Sequence, residues 1–179
     1  MYEIKDTMGG IEVRLPAAQG QRKFAELVLD DGINGLCVAW YDTEGMVVDM
    51  LHHIRPIERI DGVSGTQAAE FLRGKGVELA VVSDRGTPMS VVLSHASITV
   101  MDREQNLPVA EITFRSVGAM TATVRQASDG SKFPGENPRI STMEWPKIVG
   151  FLVGYGYRIS AMPAPVLTSD KERALSVPH

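Results

Sequence analysis

The sequence predicts an α+β fold: a mainly antiparallel, hairpin-rich sheet of about seven to nine strands packed by about three helices. Three observations carry this expectation. Several short runs alternate apolar and polar residues and are bounded by glycine-bearing turns, the mark of half-buried strands. Three segments instead carry helical spacing. The 179 residues are 44% apolar and 22% charged, with a net charge of −4, which fits one ordinary folded domain. We expect that domain at residues 1–163, followed by a polar, proline-bearing tail at 164–179.

The elements follow in order. Tyr2–Thr7 and Ile11–Leu15 flank Met8-Gly9-Gly10 and read as a hairpin, with Ile11, Val13 and Leu15 facing the core. Pro16–Asp31 reads as a helix, because Phe24, Leu27, Val28 and Asp31 share a face and Gly32 follows as a stop. Leu36–Tyr41 is a compact strand, and Met46–Ile57 returns beside it after a turn at Asp42–Gly45. Ser64 and Gln67 have the spacing of a capping box, opening a short helix through Leu72 that Gly74 and Gly76 stop. Val77–Ser83, Met89–Val100, Val109–Phe114 and Ala119–Gln126 read as strands, with Met101–Pro108 as a connection. Ser128–Arg139 holds Asp-Gly, Pro-Gly and Asn-Pro pairs and reads as a loop. Ser141 or Thr142 then caps a helix through Trp145, Ile148, Val149 and Leu152, and Tyr157–Met162 is the last strand. Three helix–glycine–strand units thus recur, a pattern produced either by ancestral duplication or by the ordinary chemistry of short joints.

Composition also excludes functions. An acidic excess argues against a dedicated nucleic-acid binder. A single cysteine, Cys37, rules out a disulfide framework and suits a reducing, cytoplasmic setting. Met1–Asp6 has no apolar core of a signal peptide, and the longest apolar run, near Ile148–Tyr157, is too short for a bilayer. We therefore expect no membrane association.

Chemistry-bearing residues are few. His52 and His53, with Asp49, form the first candidate metal group. In a strand Asp49 and His53 share a face but stand about 13 Å apart at roughly 3.3 Å per residue, so a site needs help from Asp84 or His95. Ser94 and His95 are adjacent in a strand and point to opposite faces, so they do not pair as nucleophile and base. Cys37 lies in an apolar strand, where cysteine acts as a small hydrophobe rather than a thiolate. There is no P-loop, Cys-x-x-Cys, nucleophile elbow or dinucleotide fingerprint, and no cofactor is expected. The helix, glycine turn and strand from Phe71 to Asp84 resemble one piece of the haloacid dehalogenase-type phosphatases. That family needs two aspartates separated by one residue after an early strand; here Asp30 and Asp31 are adjacent, and the family is excluded.

Arginine outnumbers lysine, and Arg55, Arg59, Arg73, Lys75 and Arg85 are candidates for a basic patch that captures carboxylate or phosphate groups. Asp84 lies in the loop after the strongest strand. Trp40 and Tyr155 are large aromatic anchors of the kind that dominate interfaces. The missing catalytic signatures favour a non-enzymatic protein-interaction module, binding a protein partner or a second copy of itself. The alternatives are a structural subunit of a larger assembly, such as a phage or viral particle, and a metal-assisted hydrolase using Asp49, His52, His53, Asp84 or His95.

Overall fold

A computed structural model describes residues 2–7, 9–16, 23–29, 35–42, 55–115 and 118–165. The described strands are β1 (Glu3–Thr7), β2 (Gly10–Arg14), β3 (Lys23–Val28), β4 (Leu36–Asp42), β5 (Glu58–Val63), β6 (Val77–Ser83), β7 (Pro88–Ser94), β8 (Ser97–Asp102), β9 (Leu107–Phe114), β10 (Met120–Val124), β11 (Arg139–Thr142) and β12 (Tyr157–Pro163). Helix α1 (Gly65–Gly74) precedes β6, and α2 (Trp145–Gly154) precedes β12. All pairings between these strands are antiparallel, in sheets ordered β1-β2-β3-β4-β5 and β11-β10-β9-β8-β7-β6-β12.

This corrects the expected architecture. The described chain is mainly β, in sheets of five and seven strands with two helices, rather than one sheet of seven to nine strands under three helices. The segment read as a first helix contains β3 instead. Ala25, Leu27 and Leu29 are 1%, 1% and 0% exposed, a step of two that places all three on the core face. Phe24 points the other way and stacks on Tyr41 at 4.5 Å. Apolar residues on both faces of one strand imitate helical spacing. The expected strand Met89–Val100 is the hairpin β7–β8, turned at His95 and Ala96, with Ala96 at φ +58° and Ser94 opposite Ser97. Strand β4 pairs with β3 and β5; of the expected partner Met46–Ile57, residues 46–54 lie outside the described residues, and the Ile57 N–H donates to the Trp40 carbonyl at 2.8 Å. Arg139–Thr142 is a strand, and Glu144 is the N-cap of α2, its N–H donating to Thr142 Oγ1 at 3.1 Å.

Other expectations agree with the structure. The first hairpin pairs Thr7 with Gly10. Gln67 N–H donates to Ser64 Oγ at 3.2 Å, and Ser64 N–H to Gln67 Oε1 at 2.9 Å, completing the capping box of α1. Val77–Ser83 is a strand whose alternate side chains are buried.

The chain repeats itself. Five meandering strands, a helix and a strand (β1–β5, α1, β6) are followed by the same series (β7–β11, α2, β12). Both α2 and β12 lie 80 residues after α1 and β6, at each end. The pairing Glu3↔Arg14 recurs as Ser90↔Met101, 87 residues on, and Glu12↔Glu26 recurs as Thr99↔Glu111. Equivalent positions carry identical residues at Ile11/Ile98, Val13/Val100, Ala25/Ala110, Glu26/Glu111, Arg59/Arg139 and Ile60/Ile140. Phe-Leu-x-Gly-x-Gly also occurs at both 71–76 and 151–156. Two of the three helix–glycine–strand units are therefore real, and each ends a larger repeat. Ala80 and Ser160 are equivalent and pair with each other, so the halves are related by a local two-fold axis between β6 and β12. The contact Val81↔Met89 of β6 with β7 has its twin in the bridge Ala161↔Tyr2 of β12 with β1. One continuous core joins the two sheets, including Leu27, Val38, Leu72, Ile98, Ile112 and Leu152. No helix among the described residues is long and apolar enough to cross a membrane.

Candidate interaction cleft

The sheet opens beside the two-fold axis. Strands β6 and β7 are joined by a tight turn but pair only at Val81↔Met89 and Val82↔Pro88. Beyond those pairs Val77–Ala80 and Ser90–Leu93 have no ladder between them. Helix α1 crosses the opening. Its start is held against β7, where a Cβ on Gly65 would lie 1.5 Å from the Leu93 carbonyl oxygen, so only glycine fits. Its end leads through Gly76, at φ +81°, into β6.

The result is a cavity of about 440 Å³. Ala69 and Leu72 of α1 and Val91 and Leu93 of β7 give it an apolar lining, and Arg73, Glu78, Ser90, Arg103 and Met162 are also on its walls. Arg73 Nη2 stands 3.7 Å from Glu78 Oε1. Arg103 Nε donates to Ser90 Oγ at 3.0 Å. A long, partly exposed ion pair and a bond to a neutral hydroxyl hold the two guanidinium groups only weakly. Around the two-fold axis, Tyr157 stands where Val77 does, Val153 where Arg73 does, and Arg158 where Glu78 does. These three and Val82, the counterpart of Met162, line a hollow of only about 120 Å³. Tyr157 is fully buried, its hydroxyl donating to the Gln126 carbonyl at 2.6 Å, and burial pushes that phenol up to about 12.

The sequence-derived candidates fall in several regions. Arg73 is in the cleft. Lys75, two residues on, places its ammonium 5.5 Å from the Phe71 ring centre and 6.0 Å from that of buried Trp40, and pairs with Glu58. Arg59 pairs with Asp61 at 2.9 Å, and Arg55 is exposed just before β5. Arg85 lies beyond the far end of β6, roughly 20 Å or more from Lys75 at about 3.3 Å per strand residue. The five cations therefore do not form one patch, and Arg59, Arg73 and Lys75 each face a carboxylate. Asp84 accepts from Ser128 Oγ at 2.5 Å and sits with Arg85 and Asp129 around a surface hollow that Tyr155 also lines. Tyr155 packs edge-on to Phe133 and Phe151 at 5.6 and 5.2 Å.

Of the metal candidates, Asp49, His52 and His53 lie outside the described residues. Asp84 and His95 are at opposite ends of β7, roughly 20 Å or more apart, too far to share one ion. His95 Nδ1 instead accepts the Gly35 N–H at 3.1 Å. Among the described residues no three His, Cys, Asp or Glu side chains are grouped to hold a metal. Cys37 is buried, and burial together with a hydrogen bond to Asp61 pushes its thiol up to about 12, the reverse of a catalytic thiolate.

Sequence reasoning missed Ser90, Arg103 and the parting of β6 from β7. The one local signal was Gly65 in the first turn of a helix, where close backbone approach is a reason for glycine. No protein-family model, curated protein or solved structure matches the chain.

Proposed function

We propose that this protein is a non-enzymatic interaction module that takes an extended segment of a protein partner into the cleft between β6 and β7. The observation that carries this reading is the pair of unladdered strand edges facing each other over an apolar floor. Strand edges present N–H and C=O groups in the spacing that recognises a peptide backbone, and pockets between them select side chains. A volume of about 440 Å³ is toward the lower end of ligand sites, about 300–1,000 Å³, and suits a short segment. Carboxylates beside Arg59, Arg73 and Lys75, with the net charge of −4, favour a protein partner over nucleic acid. We place the interaction in the cytoplasm, the setting suggested by a single cysteine.

Site-specific photocross-linking in the native host tests this. A photoreactive residue replaces Ser90, at the cleft, or Met143, which is 59% exposed elsewhere. The expected result is a discrete partner adduct from position 90 and none from position 143. Equal adducts at both, or none at position 90, would overturn the reading.

A further inference from the structure

Resting on that reading, we infer that the segment bound in the cleft is a short acidic extended peptide that adds to the β7 edge at Val91, between Met89, which pairs with β6, and Leu93, whose carbonyl Gly65 covers, its carboxylates meeting Arg73 and Arg103.

The faces of the cleft define this chemistry. Val77 and Leu79 point into the core, and Glu78 between them points outward, just as Ser90 does beside buried Met89. Arg73 reaches Glu78, and Arg103 reaches Ser90, so both guanidinium groups lie toward the outer side of the opening. Ala69 and Leu72 close the inner side. A strand in this space alternates its side chains between those two environments. Apolar residues then rest on α1, and the residues between them face the arginines.

Charge selects the outward residues. Two guanidinium groups face one carboxylate, Glu78, and Arg103 is bonded to a neutral hydroxyl. A carboxylate offers either arginine the bidentate geometry that the present contacts lack. Arg103 is bonded to Ser90 of β7, so a peptide paired with β7 lies alongside a guanidinium group, whereas one paired with β6 lies alongside the Glu78 carboxylate. The twin position lacks this chemistry, having Val153 for Arg73 and Arg158 for Glu78.

The test is selection of phage-displayed random octapeptides on the full chain. The best sequence is then made as a free peptide and titrated by NMR. Enriched sequences should alternate Asp or Glu with apolar residues and should shift the amides of Ser90–Leu93. Binding should weaken about tenfold or more in Arg73→Ala with Arg103→Ala, and should weaken as salt rises. Both arginines are exposed, so the variant keeps its fold, which the unchanged remainder of its amide spectrum verifies. Cleft binding by uncharged or basic peptides, undiminished in the double variant, would overturn the acidic inference while leaving the interaction reading in place. Failure of every selected peptide to reach the cleft would overturn both.

Discussion

Gly76 and Gly156 occupy one position of the repeat, just past the end of α1 and α2, at φ +81° and +89°. Alanine pays about 1–2 kcal/mol for left-handed backbone, partly offset by about 0.4–1 kcal/mol from its stiffer unfolded chain. At Gly76 that is the whole effect, since a Cβ would meet nothing within 4 Å. Gly76→Ala should therefore cost about 1 kcal/mol. At Gly156 the same Cβ would lie 1.9 Å from Ser128 Oγ and 2.6 Å from Ser128 Cβ. Turning the hydroxyl away gives up its bond to Asp84 and still leaves the Cβ overlap, so the backbone must shift. Overpacking of this kind costs about 1–3 kcal/mol more, which puts Gly156→Ala near 3 kcal/mol. Ser128→Gly removes both of those atoms and frees the Asp84 carboxylate, 2.9 Å from the same Cβ, to swing away, so it should return the cost of Gly156→Ala to about 1 kcal/mol, a coupling of about 2 kcal/mol in the double-mutant cycle. Urea unfolding of the four proteins, with Gly76→Ala alongside, gives these differences from midpoints at constant slope. Equal costs at the two glycines, or no relief from Ser128→Gly, would refute the reasoning.

Three further outcomes are expected. Burial, with Glu12 opposite it, holds the Glu26 carboxyl above its ordinary 4.5, against a weaker opposing pull from Arg59. The folded state thus keeps this proton more tightly, and its contribution to stability is lost as pH rises through the interval above 4.5. Glu26→Gln should gain in urea midpoint over the parent toward pH 7 and converge with it near about pH 4; a pH-independent difference would contradict this. The Cys37 thiol, buried and raised to about 12, should resist iodoacetamide in the native protein and react once urea unfolds it; rapid native labelling would contradict its placement. Ser64→Ala removes the capping bond of α1 and should cost about 1 kcal/mol in the same urea measurement, against no change if the cap is idle.

Particular elements show what was legible in the sequence. The capping box and the alternation of Val77–Ser83 are local devices, and local devices survive in one dimension. The strand β3 was not legible, because a strand with Ala25 and Leu27 on one face and Phe24 on the other carries the same residues as a helical stripe. The hairpin at His95 and Ala96 was hidden because neither residue is a usual turn former, yet Ala96 adopts φ +58°. The repeat was legible only at its helix–glycine–strand ends, and its meandering strands were hidden for a related reason. Its two halves preserve backbone register far better than residues, and register is a property of paired strands. Arg73 was legible as a candidate; its neighbours Ser90 and Arg103 come from β7 and the turn after β8, and only the fold brings them together.

The central claim is that the β6–β7 opening presents unladdered strand edges. Amide hydrogen exchange of the free full-length protein, resolved by residue, tests it most directly. Amides of Val77–Ala80 and Ser90–Leu93 that point into the opening should exchange orders of magnitude faster than their neighbours bonded to β12 and β8. Uniform protection of both strands, as in a closed ladder, would contradict the account.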